Sequence, residues 1–384
     1  MQIPALHSVV SNVLSSLTDT TSIVPNTATP AAVSKGGTGG LSIVNTFYEF
    51  GYKQTEGPNS YTVNLYSRTG QDSYQQVTNS GTIAVRTFDI PGLVLNNDRT
   101  VVYNDANYAV FEYLPVAVGT EIWIWTYERL RSDPTNTVTA RICFLRSLDG
   151  LTGRVFAAPV VQTLPNVGQI TFHSVIKGAA DGSIKYLILG YGSPAGLRRC
   201  NINLSTGELT NLTLVATKSS LSEGGEINID NSGTIISLSR VDSGGYLQQS
   251  VSTDWGLTFS TPVDSLVGAS TSPKPTPCVV MTANRPGNLT VSFNDRGAGN
   301  RDKLVTFTSK SNALALSYQT SVFIGTPATQ GNSGLRVVDG RLGLYLYVCA
   351  KENGEPVGTT TTTLLYWVMK DQYVTNFVEP APWR

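Results

Sequence analysis

Trp123 and Trp125 stand two apart in the run E-I-W-I-W-T. On an extended strand that spacing turns both indoles to one face. Two flat aromatic faces side by side either stack on sugar rings, which makes both candidate ligand-binding residues, or pack as core, the commoner fate of such a pair. Other chemistry-bearing residues have less support around them. His173, in I-T-F-H-S-V-I, has no Ser or Asp context and reads as structural. The Gly-rich run 190–196, G-Y-G-S-P-A-G, has neither a Lys-Ser/Thr pair nor a following helix to make a phosphate cradle. Cys143, Cys200, Cys278 and Cys349 are widely spaced, with no C-x-x-C, and only His7 and His173 accompany them. That set has no zinc-site spacing, so no metal and no cofactor are expected, and the thiols read as buried and reduced. The N-L-T triplets at Asn211 and Asn288 match a glycosylation pattern that means nothing without a secretory route.

The elements that must position such residues are strands. Only 14% of the 384 residues are charged, and 36 Gly and 19 Pro punctuate a chain rich in Ser, Thr, Val and Tyr. That composition favours many short strands with tight turns. With 27 basic and 27 acidic residues the net charge is zero, which removes a global case for nucleic acid or an anionic membrane surface. The first residues, M-Q-I-P-A-L-H-S-V-V-S-N-V-L-S-S-L, have no basic leader and no long apolar run, so neither a signal peptide nor membrane insertion is expected.

Within residues 4–17, Leu6, Val9, Val10, Val13, Leu14 and Leu17 fall at helical spacing. One short amphipathic helix cannot bury that face alone, so it is expected to pack on the rest of the chain, on sister chains or on a neighbouring protein. Residues 18–40 are Thr-, Pro-, Ala- and Gly-rich and read as an extended arm. Residues 1–40 are therefore expected to form a helix and anchoring arm, and 41–384 a single all-β domain. Alternating runs such as Y-T-V-N-L-Y-S-R-T-G, E-I-W-I-W-T-Y-E-R-L and G-T-I-I-S-L-S-R follow one another without a credible interior helix.

The most informative stretch is 226–262. It contains a Glu, an N-S-G-T turn, a strand ending in Arg240, a G-G-Y turn and then S-T-D-W-G-L-T-F. The last segment fits the S-x-D-x-G-x-T-W/F pattern called an Asp box, formed here by Ser252, Asp254, Gly256, Thr258 and Phe259. In such a turn the Asp accepts backbone N–H groups, the Gly takes a strained turn conformation and the aromatic packs inward. It marks a fold rather than a reaction. Weaker echoes of the hairpin occur around Ser67, Ser147, Ser205, Ser309 and Met369. Six hairpins at roughly one blade length, around 40–50 residues or more, suggest six blades.

On these motifs the chain resembles the sialidase superfamily of six-bladed β-propellers, across about residues 80–375. The resemblance implies an all-β, six-bladed sialidase-like propeller preceded by a short helix and arm. It also implies counterparts for several site residues. E-I-N-I-D-N-S-G-T-I-I-S-L-S-R resembles the strand pair with the assisting Glu and an arginine of the carboxylate-binding triad, which map to Glu226 and Arg240. F-N-D-R-G-A-G-N-R-D-K resembles the segment with the third arginine, mapping to Arg301 or, less well, Arg296. V-G-T-E-I-W-I-W-T-Y-E-R-L-R-S-D-P places Glu128 and Arg129 on a strand and Asp133 in the acid/base position.

Two departures stand out. The family's first arginine lies in an F/Y-R-I-P motif, but here F-D-I-P and F-E-Y-L-P put Asp89, or Glu112 and Tyr113, in its place. A substrate carboxylate would meet repulsion there rather than a bidentate clamp. The nucleophile segment resembles G-N-S-G-L-R-V-V-D-G, with Asn332 where the Tyr should stand, and an amide cannot be that nucleophile. Asp133 and Glu226 remain a possible carboxylate pair for glycoside hydrolysis. Arg129, Arg240 and Arg301 remain possible pocket residues for an acidic or hydroxylated sugar.

The segment A-A-V-S-K-G-G-T-G-G resembles a linker frequent in bacteriophage tail fibres, ahead of a trimeric distal domain. The expectation is a virion receptor-binding protein: a homotrimer attached to tail proteins through residues 1–40 that recognises a host-surface glycan. A glycosidase or depolymerase with non-standard residues, and a structural virion propeller that binds protein, are the alternatives.

Overall fold

A computed structural model describes residues 33–34, 43–48, 53–54, 61–69, 81–90, 94–95, 100–162, 164, 168–178, 183–192, 195–217, 224–228, 232–240, 247–265, 278–281, 289–295, 303–309, 316–323, 328–339, 344–353 and 361–370, with side chains chiefly between 81 and 263. The proposed helix at 4–17 lies outside these residues, as does most of the arm.

The alternating runs become strands because β-branched and aromatic residues fit a pleated, half-buried surface. In chain order they are β1 (Val33–Ser34), β2 (Ile43–Tyr48), β3 (Lys53–Gln54), β4 (Tyr61–Thr69), β5 (Ile83–Ile90), β6 (Val94–Leu95) and β7 (Thr100–Tyr103). Then come β8 (Tyr108–Val118), β9 (Glu121–Leu130), β10 (Arg141–Arg146), β11 (Val160–Gln162), β12 (Ile170–Lys177), β13 (Ile184–Gly192), β14 (Ala195–Ile202) and β15 (Leu209–Thr217). The rest are β16 (Gly224–Asn228), β17 (Ile235–Arg240), β18 (Leu247–Ser252), β19 (Val263–Ser265), β20 (Cys278–Met281), β21 (Leu289–Asp295), β22 (Lys303–Ser309), β23 (Leu316–Phe323), β24 (Ala328–Asp339), β25 (Leu344–Asn353) and β26 (Thr361–Lys370). Among the described residues the only helical element is a single 3-10 turn, Gly150–Thr152.

Among the described residues the strands form six antiparallel sheets. Four are plain meanders in chain order: β8 to β11, β12 to β15, β16 to β19 and β20 to β23. The first sheet runs β2-β4-β5-β6, with β3 on β4 and β7 on β5. The last runs β24-β25-β26-β1, so Val33 and Ser34 pair with Thr362 and Thr361. The first strand of each sheet packs on the first strand of the next: β2 on β8, β8 on β12, β12 on β16, β16 on β20, β20 on β24, and β24 back on β2. Radial repetition of small antiparallel sheets is the β-propeller solution to exposed sheet edges.

The hairpin serines fall at the ends of third strands with one exception. Ser147 and Ser205 follow β10 and β14, Ser252 and Ser309 end β18 and β22, and Met369 lies next to the end of β26. Ser67 instead sits within β4, the second strand of its sheet, opposite Ala84. The extra short strands β3, β6 and β7 lengthen that sheet and displace the hairpin from the expected spacing.

Trp123 and Trp125 do not form a sugar platform. They are 2% and 0% exposed and belong to the core between the β8–β11 and β12–β15 sheets, with Phe144, Ile170, Phe172, Leu187 and Leu189. Their rings meet edge to face at 5.9 Å, and Phe144 lies 5.2 Å and 5.4 Å from them. Each indole N–H has a partner: Trp123 donates to Glu121 Oε2 (3.0 Å) and Trp125 to Gly207 O (3.0 Å). Gly207 has φ +71°, and a Cβ there would collide with the Phe144 ring. The physical reason for the correction is area. Each indole removes on the order of 200 Å² from water, worth at most roughly 5 kcal/mol, which favours the inner face of a sheet packed on both sides.

The turn after β18 has the geometry its sequence implies. Ser252 Oγ donates to Asp254 Oδ1 (2.7 Å) and accepts from Gly256 N–H (2.8 Å). Asp254 accepts from Thr258 N–H (3.0 Å) and the Thr258 hydroxyl (2.6 Å). Gly256 sits at φ +74°, where a Cβ would collide with the Tyr186 hydroxyl, and Trp255 also has positive φ, at 61°. Phe259 packs with Trp255 against Tyr186, Ile188 and Ile235. Burial by itself would raise the Asp254 pKa, but the hydrogen bonds from Thr258, Ser252 and Leu257 bring it down to about 2. Ser252 pairs with Ile235, whereas Ser239 pairs with Gly224. The turn therefore lies at one end of this sheet and Gly224 at the other, about 13 Å along the strand.

Candidate functional site

Glu226 is the third residue of β16, an innermost strand, and its register partner is Ser237 on β17. Both are buried, on strands whose neighbours Ile235, Ile236 and Leu238 are fully buried as well. A carboxylate in that setting needs partners. Its Oε1 accepts from the Ser237 hydroxyl at 2.9 Å and lies 2.9 Å from His173 Nδ1 on β12, the first strand of the preceding sheet. The His173 and Glu226 side chains are both fully shielded from solvent. The backbone N–H of Glu226 donates to Ser174 Oγ (2.8 Å). Two adjacent sheets are thus tied across their inner strands by a His–Glu pair and a serine bond.

Two polar atoms in this cluster have no partner: Glu226 Oε2 and Ser239 Oγ, both buried. Gly224 lies opposite Ser239, with its Cβ position 2.9 Å from His173 Cε1 and 3.1 Å from Ser239 Oγ. The order of bonds places the carboxylate between Ser237 and His173. A hydrolytic triad places the imidazole between hydroxyl and carboxylate, so this arrangement is not an activated serine.

The second cluster lies where β9 and β10 pair. Glu128 and Arg141 are register partners. Glu128 is fully buried; its Oε2 accepts from Arg141 Nε (2.9 Å) and its Oε1 from the Thr126 hydroxyl (2.6 Å). Arg141 also reaches Asp105 Oδ2 (2.6 Å) and stacks over Tyr108, 3.6 Å from the ring centre. Burial disfavours the Arg141 charge, but Glu128 and Asp105 outweigh it and raise the pKa. Burial pushes the Cys143 thiol up to about 12, with Glu128 adding to it. Burial likewise pushes Cys200 up to about 12. Cys143 and Cys200 are free and buried, Cys143 within the apolar run its sequence shows, whereas the side chains of Cys278 and Cys349 lie outside the described residues.

Arg129 points to the opposite face from Glu128 and is 2% exposed. Its Nε donates to the Tyr127 hydroxyl (3.2 Å) and its NH1 to Pro134 O (3.0 Å), with the guanidinium 4.6 Å from the Phe111 ring centre. It fastens the loop between β9 and β10 instead of lining an open pocket. Asp133 is in that loop and exposed, capping its turn by accepting from the Thr135 hydroxyl (3.2 Å). No described contact links Asp133 to Glu226. Arg240 ends β17 opposite Leu247, with its side chain outside the described residues, and Arg301 lies outside them altogether.

Sequence reading missed His173, Ser237 and Ser239 as parts of the Glu226 site. A signal was available. His173 interrupts an apolar run, and the alternating serines of I-I-S-L-S share one face of a strand bounded by buried residues. Buried polar groups in such runs must find partners. Among the described residues, no group of three or more His, Cys, Asp or Glu is arranged to hold a metal ion, and no helix is long and apolar enough to cross a membrane.

No protein-family model matches the chain, and no curated protein matches it. Solved structures do. A luciferin-regenerating enzyme superposes with a TM-score of 0.51 at 10% identity, covering 91% of this chain and 98% of that one. A mutant of the NanB sialidase from Streptococcus pneumoniae gives 0.47 at 11% identity, over 88% of this chain and 57% of that one. The propeller of Dos1 gives 0.40 at 9% identity, over 88% and 81%. The first likeness bears on the fold alone, and the other two scores are too low to bear on fold or function.

Proposed function

We propose that this chain is a six-bladed, sialidase-like propeller that recognises a host-surface carbohydrate without turning it over, displayed on a virion as a tail fibre or receptor-binding protein. The observation that carries the non-catalytic part is the commitment of its carboxylates. Glu226 is held by His173 and Ser237, Glu128 by Arg141 and Thr126, and Asp133 faces solvent in a turn. Apart from families such as the sialidases, whose nucleophile is a Tyr, retaining and inverting glycosidases need two carboxyl groups flanking one bond, roughly 5–10 Å apart. Asp105 and Glu128 do come close to each other, but both are bound to one nitrogen of Arg141, at 2.6 Å and 2.8 Å, and so form an ion-pair cluster instead of flanking a substrate bond. The substitutions Asp89 or Glu112 for an arginine, and Asn332 for a tyrosine, support the same reading.

Recognition needs only a rigid cleft with a few polar groups, presented in several copies so that avidity compensates for weak single sites. The K-G-G-T-G-G segment and the amphipathic pattern of residues 4–17 support attachment of a homotrimer to tail proteins through residues 1–40.

One observation favours a second reading, a glycoside hydrolase. Glu226 Oε2 is buried with no partner, as a carboxylate awaiting a substrate proton would be. Incubation of the full chain with host-surface polysaccharide, followed by reducing-end and mass analysis, decides between them. The binding reading expects retention of glycan and no released product. Product that disappears in Asp133→Ala or Glu226→Ala would establish the hydrolase instead, and a protein that binds neither glycan nor host cells removes the receptor role.

A further inference from the structure

Resting on that carbohydrate-binding reading, we infer that Gly224, Glu226 and Ser239 form a hydroxyl subsite. One ligand hydroxyl donates to Glu226 Oε2 and accepts from Ser239 Oγ. Register places the residues together. Ser239 is opposite Gly224 and Ser237 is opposite Glu226, so all four lie on one face of the β16–β17 pair. Glu226 and Ser239 are diagonal neighbours on that face, with backbone positions about 7–8 Å apart, within reach of one shared ligand group.

The chemistry of the two unpartnered atoms narrows the occupant. The Oε2 of an ionised carboxylate can only accept, and a serine hydroxyl can donate. A hydroxyl donates one bond and accepts another, so it satisfies both atoms at once. An ammonium group could donate to both atoms, since a serine oxygen also accepts, but it would have to shed its hydration to enter a buried niche. A carboxylate or phosphate would repel Glu226.

The third wall is Gly224, packed so closely on its neighbours that no side chain fits there. A Cβ there would be 2.9 Å from His173 Cε1, 3.1 Å from Ser239 Oγ and in collision with Leu238 O. His173 in turn fixes the carboxylate through Oε1 (2.9 Å) and leaves Oε2 as the free acceptor. Glu226 is shielded from bulk solvent, so the entering group is either a desolvated ligand hydroxyl or a single ordered water.

The test is isothermal titration calorimetry of the full chain. The probes are a panel of neutral, N-acetylated and acidic mono- and disaccharides, with singly deoxygenated analogues of each sugar that binds. Ser239→Ala is expected to weaken the best sugar about tenfold, the usual worth of one hydrogen bond. One deoxy analogue should lose about tenfold against the wild-type chain and nothing further against Ser239→Ala. Gly224→Ala should abolish binding; if it fails to fold, the Ser239 and deoxy-sugar comparison stands alone. Wild-type affinity in Ser239→Ala, with no deoxy analogue affected, means that the niche holds a bound water only. That overturns this subsite and leaves the proposed function standing. A folded wild-type chain that binds no sugar of the panel overturns both.

Discussion

Nδ1 of His173 lies 2.9 Å from Oε1 of Glu226, and the two side chains join neighbouring sheets with no exposure to solvent. Removing one member of a buried polar pair strands the other in a low-dielectric interior. His173→Ala is therefore expected to destabilise the chain by about 3–5 kcal/mol, read as a lowered urea midpoint. Glu226→Gln keeps an acceptor oxygen for Ser237 and should cost less. A His173→Ala midpoint equal to wild type would show that the pair does not hold the sheets together.

Glu128 and Arg141 make the same argument from within one sheet, with Arg141 2.8 Å from a carboxylate that is fully buried. Arg141→Leu should cost about 3–5 kcal/mol because it leaves the Glu128 charge unpaired. The double variant Glu128→Leu, Arg141→Leu should recover most of that loss, since an apolar pair of similar volume is often as stable. Equal losses in the single and double variants, by chemical denaturation, would contradict this account.

Trp125 is expected to behave as core. Trp125→Ala should cost about 3–5 kcal/mol and also strand the Gly207 carbonyl. Its glycan affinity, measured at a temperature where the variant remains folded, should match wild type. Lost affinity with unchanged stability would return the indole to the ligand.

Asp254 predicts a pH dependence with a definite sign. Its folded pKa, about 2, lies below the ordinary value of 3.8. A depressed carboxyl contributes stability that is present above the unfolded pKa and is lost as pH falls through the folded one. The Asp254-dependent part of stability should therefore be full at neutral pH and fade between about pH 4 and pH 2. Comparing wild type with Asp254→Asn by thermal melting across that range checks it. A difference that persists unchanged at the acid end would assign the turn's stability to something other than the ionised carboxylate.

Strands and turns were readable because their causes are local. Period-two alternation, Gly at a left-handed position and a serine two residues before an aspartate act over a few residues. In the S-T-D-W-G-L-T-F turn the sequence implies an Asp that accepts backbone N–H groups and a strained Gly, whereas the bonds of the Ser252 and Thr258 hydroxyls are visible only in the structure. Site geometry was not local in that sense. His173 and Glu226 are 53 residues apart, and only the packing of β12 on β16 makes them partners. The same spacing rule that put Trp123 and Trp125 on one strand face could not say whether that face met solvent or a second sheet.

By itself, then, the amino-acid order determined the strand-and-turn body seen among the described residues, the turn at Ser252–Phe259, the buried thiol at Cys143, and Glu226 as a residue to watch. Tertiary structure decided the rest: that the indoles are core, that Arg129 fastens a loop, that Asp133 faces water, and that His173 holds Glu226. The division follows from the range of the forces. Backbone conformation is set by neighbours along the chain, whereas burial and the pairing of charges depend on which sheet lies opposite, and that is a property of the closed ring of strands.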